Sequence, residues 1–413
     1  MRRMIGLLAG PVAAPASLLI LVNFLLADVR DGLGPFLGIF LIEKGWTPDK
    51  IGLVMSVGGF AGMIATTPLG ILADATKAKR AVVVVCAVLV TAASLAMLLL
   101  PSFAVVTGAQ VATGIAGAAI APAIASLTLG IVGQTGLAHQ LGRNEAANHA
   151  GNVLAAVLAG VFGAAYGLTA VFVLMGGMAI GSIVATLAIP PGSIDHAVAR
   201  GLEPNPAGET GEPPRLGVLL QSRPLALLAV TLALFHLGNA ALLPLLGQQA
   251  ASRDMGMDAA TYTAATIVIA QLTMVPMALG AARMAERHGY WLVLACALFA
   301  LPIRALLAGI WVDPWAVLPV QMLDGVGAGL LGVAVPGLVA RILRGTGHVN
   351  AGLGLVMTVQ GIGAALSPAV AGAIATRYGF PAAFLTLGVF ALIGLALWAA
   401  GRSFSGLRAE GVA

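Results

Sequence analysis

Polar and apolar positions along the chain fall into long blocks. Twelve apolar segments can be read, at roughly 15–42, 50–73, 81–100, 103–128, 145–166, 169–189, 223–247, 261–282, 290–311, 315–338, 351–376 and 381–402. A helix needs about 20 residues to cross a bilayer, and each segment reaches that length. Most connections are short, such as Pro101-Ser102 and Tyr166-Gly167-Leu168. The longest polar stretch runs from Pro190 to Gln221 and is rich in Pro, Gly and Glu. It reads as a linker and divides the segments six and six. The pattern predicts an all-α membrane protein of twelve transmembrane helices. Its bundles would be 1–189 and 223–413, joined by a cytoplasmic linker over 190–222.

The two halves repeat each other. Tyr166-Gly167-Leu168-Thr169-Ala170-Val171-Phe172 returns as Tyr378-Gly379-Phe380-Pro381-Ala382-Ala383-Phe384. Gln110 and Gly114 return as Gln321 and Gly325, and Cys86-Ala87-Val88-Leu89 returns as Cys296-Ala297-Leu298-Phe299. All three matches share nearly one offset, which points to duplication and to pseudo-symmetric bundles. Paired repeats with a site between them are common in secondary transporters.

Composition agrees with a polytopic membrane protein. The chain of 413 residues is 59% hydrophobic and only 9% charged. Its mean hydropathy is +1.00, whereas soluble domains carry about 25% charged residues. The net charge of +5 is spread over many short loops and does not suggest nucleic-acid binding. Met1-Arg2-Arg3 is followed directly by membrane-length sequence, so no cleavable signal is expected. Cys86 and Cys296 fall inside apolar segments and read as packing residues. No disulfide framework, metal cluster or cofactor is expected.

Basic residues sort to one side. With both ends inside, Arg2, Arg3, Lys77, Lys79, Arg80, Arg143, Arg200, Arg215, Arg223, Arg283, Arg287, Arg341, Arg344, Arg402 and Arg408 are cytoplasmic. Lys44, Lys50, Arg253 and Arg377 lie outside. Cytoplasmic loops favour basic residues, so both termini are expected in the cytoplasm, with the chain multi-pass in the plasma membrane (the inner membrane of a bacterium).

Charges inside the segments are the candidate chemistry. Segment one contains Ala27-Asp28-Val29-Arg30-Asp31-Gly32-Leu33-Gly34-Pro35. Ionisable groups at that depth are costly and usually face a bundle interior or a wet cavity. On a helix, Asp28 and Asp31 lie about 60° apart, and Arg30 points elsewhere. Two like charges on one face should not both stay ionised there, so one carboxylate is poised to take a proton. The spacing makes Asp28 and Asp31 candidate proton-coupling residues and Arg30 a candidate substrate contact. A structural ion pair between helix 1 and its neighbours is the competing reading.

Segment five opens Gly142-Arg143-Asn144-Glu145, and Glu145, Asn148, His149 and Asn152 follow at i, i+3, i+4, i+7. That stripe would line an inner mouth, or be a hydrated interfacial turn. Segment seven carries His236 and Asn239; histidine titrates near neutrality. Segment nine carries Arg304 after Pro302, and segment ten carries Gln321 and Asp324 at i, i+3. Counted from their outer ends, Arg304 and Asp324 sit at similar depth and could pair, with Arg304 read as structural. Gln110 and Gln360 complete the candidate substrate contacts.

The loop after segment two reads Gly70-Ile71-Leu72-Ala73-Asp74-Ala75-Thr76-Lys77-Ala78-Lys79-Arg80. A degenerate second copy, Gly280 to Gly289, follows segment eight. This pattern resembles the signature loop of the major facilitator superfamily, and the segment count, linker and repeat extend the resemblance over the whole chain. In character the chain looks nearest to drug/proton antiporters of that family. The resemblance implies that Gly70, Asp74, Lys77 and Arg80 form a conformational latch, and that helices 1, 4, 7 and 10 line the path. Two departures weaken the inference of export. Gln110 stands where many proton-driven members carry arginine, and segment five lacks their Gly-Pro pair.

These observations favour a secondary transporter, not an enzyme, acting as a monomer by alternating access. The leading expectation is proton-coupled efflux of a small organic or amphipathic compound. The alternative is uptake of a small metabolite or organic anion. An intramembrane enzyme or sensor is disfavoured: no serine–histidine pairing occurs at shared depth, no output domain is visible, and no Walker-type loop points to an ATPase.

Overall fold

A computed structural model describes residues 14–30, 33–200, 221–253, 256–311, 313–344 and 349–401. Those residues are helical with short connections and contain no strand. The helices are α1 (Ala14–Arg30), α2 (Pro35–Glu43), α3 (Pro48–Ala75) and α4 (Lys79–Leu99). Next come α5 (Phe103–Gly133) and α6 (Thr135–Tyr166), then α7 (Thr169–Ala188), α8 (Arg223–Asn239) and α9 (Leu242–Ser252). The chain closes with α10 (Ala259–His288), α11 (Tyr290–Ile310), α12 (Val317–Ile342), α13 (Val349–Tyr378) and α14 (Phe380–Gly401). Among the described residues, 11 stretches are long and apolar enough to span a membrane, and Pro15–Val29 adds a shorter one. With α1 and α2 taken together, this is the expected all-α, twelve-span architecture.

Two apolar segments that read as continuous are each in two pieces. Segment one stops at Arg30 and resumes at Pro35, after Gly34 with φ +49°. Segment seven stops at Asn239 and resumes at Leu242, with Pro244 in the first turn of α9. Proline lacks a donor and disfavours helix in the residue before it, and it suits a helix start. The breaks fall at corresponding places in the repeat, beside Pro35 and Pro244.

The connection expected at 129–144 is helical instead. Only Gly133, at φ +67°, separates α5 from α6, a conformation without strain for glycine alone. A few helix starts carry side-chain caps: Ser102 and Ser222 accept from the backbone N–H groups of Val105 and Leu225. Asp258 accepts from those of Ala260 and Thr261.

The chain divides into two compact units: Met1–Gly34 with Phe60–Glu209, and Pro35–Gly59 with Thr210–Ala413. In the first, a core of Leu19, Val22, Val90, Ile120 and Leu127 joins α1, α4 and α5. In the second, Leu228, Phe235, Leu298, Leu338, Phe384 and Trp398 join α8, α11, α12 and α14. Small residues set the spacing. Gly325 and Gly329 lie one turn apart on α12, with the carbonyls of Ala270 and Met274 on α10 where their Cβ atoms would be. Leu99, Val173, Ile180, Phe299 and Ile310 point outward and stay exposed, as expected when the surrounding solvent is lipid. Cys86 is buried as expected; Cys296 is exposed on α11 and is not a packing residue.

The first part of the segment read as linker is ordered. Short 3₁₀ turns form at Pro191–Ser193 and Val198–Arg200. Asp195 N–H donates to Gly130 O at 2.8 Å, and Ile194 and Ala199 are buried against the end of α5. Two apolar side chains within a Pro/Gly-rich stretch were the overlooked signal.

Candidate functional site

The second unit holds a charged cluster at the break between α8 and α9. Arg304, on α11, is 1% exposed. Its Nη1 lies 2.6 Å from Asp324 Oδ1 on α12 and donates to Asn239 Oδ1 at 2.6 Å. Its Nη2 donates to Gln321 Oε1 at 3.4 Å. Asn239 is the last residue of α8, where helix carbonyls lack partners and the macrodipole favours a cation. The depth count that let Arg304 meet Asp324 thus agrees with the geometry.

The cluster opens on a cavity of about 320 Å³. Its lining mixes apolar residues, among them Phe235, Leu301, Leu323 and Leu331, with the polar His236, Asn239, Arg304 and Asp324. The His236 and Phe235 ring centroids are 5.4 Å apart. Both members of the pair line the cavity, and Asp324, 18% exposed, is the more accessible of the two. Arg304 Nε, Gln321 Nε2 and His236 Nδ1 are buried without hydrogen-bond partners. Taking two charges out of water is costly, and their attraction offsets that cost only while both partners remain.

The first unit holds a smaller cavity of about 140 Å³, lined by Asn23, Leu26, Ile124, Asn144, Glu145 and Asn148 among others. Behind it runs a chain of amides. Gln140 Nε2 donates to Ala16 O at 3.1 Å and to Asn144 Oδ1 at 2.9 Å. Asn144 Nδ2 donates to Thr128 Oγ1 at 3.1 Å. Gln140 and Asn144 are almost fully buried. Such satisfied networks rigidify their surroundings, here tying α1 and α5 to α6.

The expected contacts therefore divide. His236, Asn239 and Asp324 come together at one cavity, with Gln321 behind them through Arg304. Glu145 and Asn148 line the other. His149 and Asn152 are partly buried on the same helix. Gln110 turns its amide to Met97 Sδ at 3.9 Å, and Gln360 is partly buried on α13. Asp28 is half-buried near the end of α1. Asp31 and the side chain of Arg30 lie outside the described residues. Asn23, Gln140 and Asn144 escaped the sequence reading, although Gln140, Asn144 and Asn148 are spaced i, i+4, i+8.

Before the loop that follows α3, Gly70 lies inside the helix, which runs on to Ala75. Lys77 is exposed, and the Asp74 side chain lies outside the described residues. Arg80 Nη1 donates to Ile189 O at 2.5 Å, beyond the end of α7. The neighbouring Lys79, absent from the expected set, is 1% exposed. Its Nζ donates to Ala73 O at 2.5 Å. Two consecutive cations thus sit at two helix C-termini, where the dipole stabilises them.

Two discontinuous helices, two cavities and a duplicated all-helical membrane architecture define the class of a secondary transporter. The sequence profile of the Major Facilitator Superfamily matches residues 19–303 and 228–408, and the chain belongs to that family. It is 44% identical over 393 residues to uncharacterised MFS-type transporters of Mycobacterium tuberculosis strains CDC 1551 / Oshkosh and H37Rv, covering 94% of this chain and 93% of each relative. Its fold is similar to that of the nucleoside transporter NupG, with TM-score 0.76, 13% identity and coverage of 95% and 99% of the two chains. It is also similar to a bacterial homologue of the human lysosomal transporter Spinster, in an inward-facing, unoccupied conformation. There the TM-score is 0.72, the identity 14%, and the coverage 96% and 98%.

Proposed function

We propose that this secondary transporter couples proton movement to export of a small organic or amphipathic compound. The observation that carries this reading is the cavity of about 320 Å³ in the second unit, whose mostly apolar lining includes the charged Arg304 and Asp324. Such sites take an apolar body and fix its orientation through a few polar groups. The protein acts as a monomer in the plasma membrane, both termini cytoplasmic, without catalytic activity, by rocking of the halves 1–189 and 223–413. His236, Asn239 and Asp324 contact the solute, with Gln321 behind them, and Gln110, Gln360 and the α6 stripe Glu145, Asn148, His149 and Asn152 lie along its path. Gly70, Asp74, Lys77 and Arg80 belong to the loop that holds one state. Purified protein in liposomes, challenged with a compound panel under a pH gradient, tests the proposal: some compound must be moved against its own gradient.

A second reading is uptake of a small metabolite or organic anion. Arg30 is the anion contact in that reading, and Arg304, which lines the cavity, favours it as a further guanidinium.

Single cysteines at Ala197 and Arg253 test the orientation in a background lacking Cys86 and Cys296. An impermeant maleimide applied to intact cells should label Arg253→Cys, and label Ala197→Cys only after lysis. The opposite pattern would invert the topology.

Alanine in place of Glu145, Asn148 or His149 should alter transport while abundance stays near normal. Abundance falling in step with transport would make the stripe structural. The coupling proposal rests on Asp28 and Asp31, beside the break in helix 1. Asp→Asn at either should abolish gradient-driven transport, while solute counterflow survives at the coupling position. Full gradient-driven transport in both variants would remove helix 1 from the coupling step.

A further inference from the structure

The second piece of helix 7, α9, is polar where it is most enclosed. It packs against α2 and α10, and all three lie in the second unit. Every residue from Leu245 to Ala250 is buried, so the helix is covered on all sides there. Two of those residues are glutamines. Gln248 is 2% exposed and Gln249 3%, and successive side chains point about 100° apart. Thr263 of α10, against Gly247, is 0% exposed. Gln248 Oε1, Gln249 Nε2 and Thr263 Oγ1 have no hydrogen-bond partner among the described residues. Thr266, one turn on, differs: its hydroxyl donates to Thr263 O at 2.6 Å.

Glycines press these groups into the seam. A Cβ on Gly38 of α2 would lie 3.0 Å from Gln248 Cγ. One on Gly247 of α9 would lie 2.7 Å from Thr263 Oγ1. Burying an amide or hydroxyl without a partner costs its hydration. Leucine and valine would fill similar volumes without that cost, so the packing of this state does not account for the polar choice. In the proposed rocking, α2 belongs to the half 1–189, and α9 and α10 to the half 223–413. The seam would then part in the other state.

We infer that Gln248, Gln249 and Thr263 line the solute path once this seam has opened, and are polar for the sake of that state. Sealed, they lack partners; opened, water and solute supply them. They add uncharged donors and acceptors to a path whose other polar contacts in this unit gather round Arg304 and Asp324. The unmet hydrogen bonds also bias the seam. Removing them favours the sealed state and lowers the population of the open one.

The inference rests on the rocking transporter proposed above, but its test needs neither solute nor gradient. Single cysteines replace Gln249 or Thr263, with Cys86 and Cys296 changed to serine. The purified protein is treated with a charged maleimide, which reaches only thiols in contact with water. Both positions should label well above Leu298→Cys, in the core of the same unit. Gln248→Leu added to Thr263→Cys should slow labelling several-fold. It should also leave the unfolding temperature equal or higher, because an apolar side chain of similar volume replaces an orphaned amide. If Gln248→Leu yields no folded protein, Gln249→Leu takes its place and should behave alike. Labelling no faster than at Leu298→Cys, labelling that the leucine does not slow, or a fall in unfolding temperature overturns the inference; the amides would then belong to the sealed structure. The expected labelling together with transport that ignores the pH gradient would sink the coupled-transport reading and leave the inference standing. Coupled transport with both thiols silent would do the reverse.

Discussion

Replacing Asp324 by leucine should destabilise the second unit by about 3–5 kcal/mol, the cost of leaving one charge of a buried pair uncompensated. Arg304→Met should cost less. The two partners are not equivalent: Arg304 is 1% exposed and Asp324 is 18% exposed. At 1% exposure an orphaned guanidinium has little access to water, whereas an orphaned Asp324 carboxylate, 18% exposed, can draw water from the cavity. The double variant should lie closest to the parent, because an apolar pair of similar volume removes the desolvation cost along with the attraction. Thermal unfolding of the four detergent-purified proteins gives the order directly. Additive losses in the double would show that the pair does not act as a unit, and equal losses in the two single variants would contradict the inequivalence of the partners.

The second large effect lies where α3 meets α13 in the second unit. A Cβ on Gly52 would fall on the Pro368 carbonyl, and one on Gly372 on the Pro48 carbonyl, far inside van der Waals contact. Polar contacts flank these glycines. Ala369 N–H donates to Ser56 Oγ at 2.9 Å. Asp49 N–H donates to Thr376 Oγ1 at 2.9 Å. In the proposed rocking, α3 belongs to the half 1–189 and α13 to the half 223–413, so that motion would require this contact to open. Gly52→Leu should therefore remain folded but abolish transport. It should also abolish cross-linking by a short bifunctional maleimide between cysteines placed at Asp49 and Thr376, which the parent should show. Gly363 makes an equally close contact with the Ala233 carbonyl on α8, where both helices lie wholly in the second unit. Leucine there should deplete folded protein. Cross-linking unchanged in Gly52→Leu would mean that the helices yield locally and do not part.

Much of the architecture was legible because the bilayer imposes it. Runs such as 81–100 and 169–189 have the length that hydrocarbon demands, and the Arg304–Asp324 pair followed from counting depth along two such runs. The breaks in helices 1 and 7 were hidden because an apolar tally does not register backbone direction; Pro35 and Pro244 were visible, but other helices here contain proline and continue through it. The stretch 134–144 looked like a loop because it is polar. Its amides at Gln140 and Asn144 instead face inward and satisfy one another. Lys79 looked like a topological charge, and its long stem let it reach a helix end while buried. The signature pattern starts at Gly70, but the loop itself begins only after the helix has run on to Ala75.

The central claim is that solute and proton movements are coupled through one protein. Its most direct test is proton flux driven by a solute gradient alone. Liposomes containing the purified protein and a trapped pH indicator, with no initial pH difference and the membrane potential clamped, are exposed to a compound transported in the panel assay. The account predicts a pH change inside that starts with the solute gradient, reverses when the gradient is reversed, and disappears when Asp28 and Asp31 are both asparagine. Solute equilibration with no accompanying pH change would contradict it.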